Sequence, residues 1–252
     1  MAPKPPDVRP APAEPWRASG ARAAAAMTER FCATFSIVAR DGEGAFGVAV
    51  STARPAVGAL VPHVCLRGAI ATQSFVNIEL GLRGIEAVAA GVPVGRALAD
   101  LLAADPRPDL RQVHGVDAAG GAFAHTGAGC VPWAGHRQGR DVSVAGNMLV
   151  GADTIAAMAA AFEASAGQAL ELAERLLRAL EAGQGAGGDK RGKQSAALLV
   201  ASPEPRFYHN LRVDDHPDPV RELRRVFEVT RAGDAERRER YSEYRATARP
   251  KW

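Results

Sequence analysis

Thr34 opens the run TFSIVARDGEGAFGVAVST, and its chemistry depends on what lies beside it. A threonine at the start of a strand is ordinary, because β-branched side chains favour extended backbone. It becomes a nucleophile only with a base in reach. If the bond between Ala33 and Thr34 is cut, the Thr34 hydroxyl gains its own α-amino group, whose reference pKa of about 8 suits proton transfer near neutrality. One residue then carries nucleophile and base together.

Acyl transfer also needs donors for a developing oxyanion. Asn147 follows Gly146 at the end of the run DVSVAGNMLV and offers a side-chain amide or a neighbouring backbone N–H, although the same pair is a turn former. Thr72, Gln73 and Ser74 are consecutive polar residues ending AIATQSF; they line a pocket or satisfy a loop. Asp189, Lys190 and Arg191 sit in a glycine-rich loop before a strand, where their charges meet a substrate carboxylate, tune the Thr34 amine, or face solvent. Residues 187–193 spell GxxxxGK, but Gln194 stands where a phosphate-binding loop needs Ser or Thr and a strand follows, which excludes that motif. His125, Cys130 and His136 have a spacing that matches no common zinc pattern, so no metal is expected. Trp133 and His136 instead read as walls of a pocket. Cys65 and Cys130 have no sequence-local base to make them nucleophiles.

The elements that carry these residues are legible from patterning. Residues 1–26 are a Pro/Ala-rich leader without apolar periodicity, and Met27 is an alternative translation start. Residues 34–229 form the expected domain, and residues 230–252 a charged tail, partly helical. Two β-rich runs from Thr34 to Thr52 are joined by a turn at residues 41–44, a hairpin. A short strand at residues 69–75 precedes two helices, residues 78–90 and 93–104, separated by Gly91-Val92-Pro93. A second hairpin turns at residues 117–121, and a sixth strand ends near Asn147. Residues 152–182 read as a long helix with a break at Gly167, followed by strands SAALLVAS and FYHNLRV, a helix over 217–227 and a loosely held helix over 232–245. This order lacks strict strand–helix alternation, so it favours antiparallel sheets with helices outside, an α+β fold.

Bulk properties narrow the function classes. Three cysteines, Cys32, Cys65 and Cys130, are too few and scattered for a disulfide framework and fit a reducing compartment. No apolar run approaches the roughly eighteen residues of a membrane span, so a cytoplasmic protein with no membrane partner is expected. The net charge of +3 resides in the leader (+2) and the tail (+3), leaving −2 for the domain between them. A mildly acidic domain argues against a nucleic-acid partner.

The blocks TFSIVARDGEGAFGVAVST, AVGALVPH, AIATQSFVNIELGLRGIEAV, HTGAGCVPWAGHRQGRDVSVAGNMLVG, LEAGQGAGGDKRGKQSAALLV and LRVDDHPDPVREL resemble successive segments of a bacterial and archaeal family, domain of unknown function 1028. The resemblance runs from about Thr34 to Phe227, and the Thr126 to His136 and Gly187 to Gly192 blocks are its most specific parts. That family is similar in fold to the N-terminal nucleophile (Ntn) hydrolases, which sandwich two antiparallel sheets between helix layers. The resemblance implies a four-layer αββα sandwich with Thr34 as nucleophile. It further implies cleavage of a small non-peptide amide bond without metal or organic cofactor; a homodimer is admitted. This chain departs from the family in placing residues 27–33 before the threonine. Exposure of Thr34 then requires self-cleavage or an outside protease. The alternative is a catalytically inactive ligand-binding or assembly protein of the same fold.

Overall fold

The computed structural model describes residues 29–240 apart from residue 33, with side chains from 34 to 236. The leader 1–26, the Met27 start and the tail beyond 240 lie outside the described residues. Among the described residues, eleven strands form two antiparallel sheets. The first sheet holds β1 (Glu29–Cys32), β4 (Pro62–Cys65), β5 (Gly68–Asn77), β6 (Arg111–Asp117) and β7 (Ala122–Thr126). In it β4 and β1 share one edge of β5, β4 pairing residues 68–71 and β1 residues 74–77. The second sheet runs β11-β10-β3-β2-β9-β8, with β2 (Thr34–Arg40), β3 (Phe46–Thr52), β8 (Gly135–Gly139), β9 (Val142–Gly146), β10 (Ser195–Ala201) and β11 (Asn210–Val213).

Helices cover the outer faces. α1 (Ile78–Ala89) and α2 (Val94–Ala104) lie on the first sheet, burying Leu80, Val88, Leu98 and Leu102 against Ile70 and Val113. Asn77 caps α1 by accepting the Glu79 N–H, and Gly91, at φ 97°, reverses the chain before α2. α3 (Asp153–Ala164) and α4 (Leu172–Gly185) lie on the second sheet, where Phe35, Ile37 and Ala39 meet Met158, Leu176, Leu177 and Leu180. The stacking order is thus helices, sheet, sheet, helices: the α+β fold expected from the patterning, in the four-layer αββα form that the family resemblance implies.

The hairpin, both helix pairs and the break at Gly167 fall where the patterning puts them. The short strands β1, β4 and β8 are additions, and residues 207–209 form a 3-10 turn rather than part of a strand. The largest difference is α5, one continuous helix from Pro219 to Arg240 that passes through the expected boundary at 229/230. Val220, Leu223 and Phe227 enter the outer core, Arg224 pairs with Glu174 and Glu181 at 2.8 and 2.7 Å, and the buried Asp234 carboxylate accepts the Phe207 N–H. Docking contacts on both sides of residue 229 make the helix one unit, despite the highly charged sequence after it.

Candidate functional site

Strand period places alternate residues of β2 in different layers. Phe35, Ile37 and Ala39 face the helices, whereas Val38 joins the inter-sheet core and Ser36 bonds to the opposite sheet. Thr34, fully buried, therefore points between the sheets. Its pairing sets the neighbours: Thr52 lies opposite on β3, Ser195 lies beyond Thr52 on β10, and Asn147 N–H donates to the Thr34 carbonyl at 2.9 Å on the other side. Continuing the β2–β9 register one step beyond Phe35↔Gly146 puts Asn147 directly across from Thr34. Cross-strand neighbours on one face have Cβ atoms about 4.5–5.5 Å apart, so the two side chains are within reach. The row Asn147, Thr34, Thr52, Ser195 is wholly polar.

The first sheet presents a matching row, Gln73, Gln112 and Thr126, each opposite the next. One step deeper come Ser36 in one sheet and His114 in the other, and then Ser143. These buried groups form a directed network. Ser36 hydroxyl donates to Gln73 Oε1 at 2.6 Å, so the 2.8 Å contact with His114 Nε2 requires that nitrogen to carry its hydrogen. His114 Nδ1 then accepts from Ser143 hydroxyl at 3.1 Å. Gln73 and Asn147 amides both donate to Gln112 Oε1, at 2.8 and 2.9 Å. Gln112 Nε2 donates to the Gly146 carbonyl (2.8 Å) and to Thr126 hydroxyl (2.9 Å), which in turn contacts exposed His136 Nδ1 at 2.9 Å.

Burial, then the nearby His136, lowers the His114 pKa to about 3 against the weaker pull of Ser143, so the ring is neutral. A serine bonded to a histidine suggests a hydrolytic pair, but the ring's other nitrogen meets the Ser143 hydroxyl instead of a carboxylate. Their role is to hold the sheets together. Burial likewise pushes the Cys130 thiol up, which keeps it protonated and unreactive.

Two buried polar atoms at this end find no hydrogen-bond partner: Ser74 Oγ and Asn147 Oδ1. Ser74 and Met148 also adopt left-handed backbone, φ 73° and 54°, which costs a residue with a Cβ about 1–3 kcal/mol. Behind Ser74, buried Arg111 pairs with Asp105 at 3.1 Å and donates to the Phe75 carbonyl at 2.8 Å. Burial pushes the Asp105 carboxyl up, but hydrogen bonds from Asn77, Arg111 and the Arg107 N–H outweigh it and hold the group below its ordinary value.

The sequence-derived candidates divide accordingly. Thr34, Asn147 and Gln73 converge at the polar end of the inter-sheet layer, whereas Ser74 pairs across the strands with Arg111 and its side chain lies by Cys130. Asp189 approaches it: left-handed Gly187 and Gly188 turn the chain so that its buried carboxylate accepts Ala53 N–H at 3.2 Å, just past Thr52, while Arg191 pairs with it at 2.7 Å. Thr72 does not converge; its hydroxyl donates to the Asn77 carbonyl, because alternate β5 residues face the helices. Lys190 is exposed and donates to the Pro132 carbonyl at 2.7 Å. Trp133 packs against the outer core, and His136 touches the site only through Thr126 and Gln112. Gln112, Ser36, His114 and Ser143 were not singled out as site residues by sequence reasoning. Their signal was a polar residue at every second strand position.

A family of unknown function, DUF1028, matches residues 34–223. The chain belongs to this family. Among solved structures, protein SPO2555 from Silicibacter pomeroyi, assigned to DUF1028, is similar at 32% identity, covering 81% of this chain and 88% of that chain, with a TM-score of 0.73. A comparison with curated proteins gives no match. The DUF1028 match starts on Thr34, so the shared domain opens with the residue at the centre of the polar row.

The described residues hold no group of three or more metal-type ligands, and none of their helices is long and apolar enough to cross a membrane. A cleft of about 350 Å³ lies at the opposite end of the second sheet, lined by Asp41, Glu43, Glu171, Arg206 and His209 among others. It does not reach Thr34.

Proposed function

We propose that this DUF1028 protein is an amide hydrolase in which Thr34 is the nucleophile, acting on a small non-peptide C–N bond. The observation that supports this most is the pairing of Thr34 with Asn147 in a buried, wholly polar row, on the first residue of the family match. The four-layer sandwich resembles that of the N-terminal nucleophile hydrolases, where such a residue does this chemistry.

Activation begins with the chain itself. Thr34 Oγ attacks the Ala33 carbonyl carbon, the C–N bond breaks to give an ester and a free Thr34 amine, and water hydrolyses the ester to leave a carboxylate on Ala33. In catalysis the amine takes the hydroxyl proton as Thr34 attacks the substrate carbonyl and returns it to the leaving nitrogen; water then releases the acyl group. The Asn147 N–H is already committed to the Thr34 carbonyl and one amide hydrogen to Gln112, so only its second amide hydrogen remains for an oxyanion. In this reading Gln73, Ser74 and Asp189 supply polar contacts to the substrate. The reading includes a cytoplasmic protein, free or as a homodimer, needing no cofactor and no nucleic-acid or membrane partner.

Intact mass and N-terminal sequencing of the purified full chain test it. The expected product begins at Thr34, and Thr34→Ala abolishes both processing and turnover of an amide panel. A chain that keeps Ala33 under all conditions overturns the mechanism.

A second reading is favoured by the complete burial of Thr34 and the cleft at the other end of the sheet. In it the chain stays intact and binds a small ligand beside Glu171 and His209 without turnover. Ligand binding that survives Thr34→Ala in an uncleaved chain supports this alternative.

A further inference from the structure

We propose that Gln112 is a positioning residue of the Thr34 site: it fixes the Asn147 side chain so that Oδ1 receives a hydrogen bond from the Thr34 α-amino group. This rests on the Thr34 reading above and assigns Asn147 a different task from oxyanion stabilisation.

The inference starts from an unmet bond. Asn147 is fully buried and its Oδ1 has no partner, a state that costs about 1–3 kcal/mol and calls for an explanation. Its amide cannot turn over to relieve this. Gln112 Oε1 accepts from Asn147 Nδ2 at 2.9 Å, and a turned amide would set two carbonyl oxygens against each other. Gln112 is itself held, because Gln73 donates to the same oxygen at 2.8 Å while its Nε2 donates to Gly146 carbonyl and Thr126 hydroxyl. The network therefore imposes one polarity: amide nitrogen toward Gln112, lone carbonyl oxygen toward the rest of the row. Thr34 is the residue directly across.

Cleavage before Thr34 converts an amide nitrogen with one hydrogen into an amine with two, or an ammonium with three. The new donor appears beside the orphaned acceptor. With one N–H held by Asn147 Oδ1, the amine's lone pair is restricted in direction, which is what a base acting on its own side-chain hydroxyl needs.

The probe is the Thr34 amine itself, so no substrate is required. Processed full-length protein labelled with ¹⁵N-threonine is titrated by NMR, and the amine pKa is compared among wild type, Asn147→Asp, Asn147→Leu and Gln112→Met. An anionic acceptor in Asn147→Asp raises the pKa by about 1–3 units, and loss of the acceptor in Asn147→Leu lowers it by roughly one. Gln112→Met, which leaves Asn147 free to turn, moves the value toward that of Asn147→Leu. The other charged groups around the site, the Asp189–Arg191 and Asp105–Arg111 pairs, are unchanged throughout. Equal pKa values in the wild type and both Asn147 variants overturn the inference while leaving a processed Thr34 intact. A chain that retains Ala33 overturns the underlying reading and the inference with it. If Gln112→Met does not fold, the Asn147 pair decides alone, since a purely structural asparagine changes stability without moving the amine.

Discussion

The two ends of the inter-sheet layer are built from the same strands and differ in almost everything else. Around Val38, Val48, Ala69 and Val116 the sheets meet through apolar side chains, and the contact is non-directional packing. Around Gln73, Gln112 and Asn147 they meet through directed hydrogen bonds between side-chain amides. The outer layers have no such division: helices cover both sheets with Leu, Ile, Met and Phe. Polarity inside a sandwich is costly unless every group is paired, so its confinement to one end of the inter-sheet layer, with Asn147 Oδ1 unpaired there, sets that end apart from the apolar one.

The contrast can be broken most severely from behind the polar end. Arg111→Leu strands the buried Asp105 carboxylate and is expected to cost about 3–5 kcal/mol in urea unfolding. At the apolar end Val48→Ala removes only packing, with an expected loss of about 2 kcal/mol that does not vary with pH. Ser143→Ala leaves His114 Nδ1 without its donor and should cost about 1–2 kcal/mol; a loss near zero would mean that the network contributes no cohesion.

Acid sharpens the comparison further. Below pH 6.5 the unfolded chain takes a proton on His114 that the folded chain refuses until about 3, so stability falls as pH drops through that window. His114→Gln should flatten the stability–pH curve there by up to one proton, whereas Val48→Ala should shift the curve without changing its slope. The smallest effect belongs outside both ends: removing the exposed Arg137–Glu163 pair, 3.1 Å apart, should change stability by less than about 0.5 kcal/mol.

Much of this architecture was readable in advance. The Thr34–Thr52 hairpin announces itself through turn residues, the two helix pairs through periodicity, and the Gly167 break through its composition. Thr34 stands out through the family resemblance, since alone it is a β-branched residue opening a strand, and Asn147 through its place at a strand end. Their direct pairing could not, since it depends on β9 lying beside β2, a contact more than a hundred residues apart in sequence. Gln112, His114 and Ser143 were hidden for a related reason: in one strand, polar residues at alternate positions look like a solvent-facing side, and only the second sheet shows that side to be interior. Strands β4 and β8 are short and partly exposed, and carry little apolar pattern to find. The charged stretch after residue 229 read as a tail because the docking of Asp234 is a tertiary fact.

The edge of β5 has two tenants laid end to end. β4 covers residues 68–71 and β1 residues 74–77, with Gln73 at the joint. While the chain is continuous, β1 is tethered and its local concentration is high. If the chain is cut before Thr34 as proposed, those four pairings become an ordinary intermolecular complex, and so short a strand has little to hold it. Its departure would leave a bare row of backbone groups beside the site, a surface onto which another extended segment can add. Under the proposed cleavage, amide exchange at residues 74–77 therefore reports the departure of β1, quickening when that strand leaves.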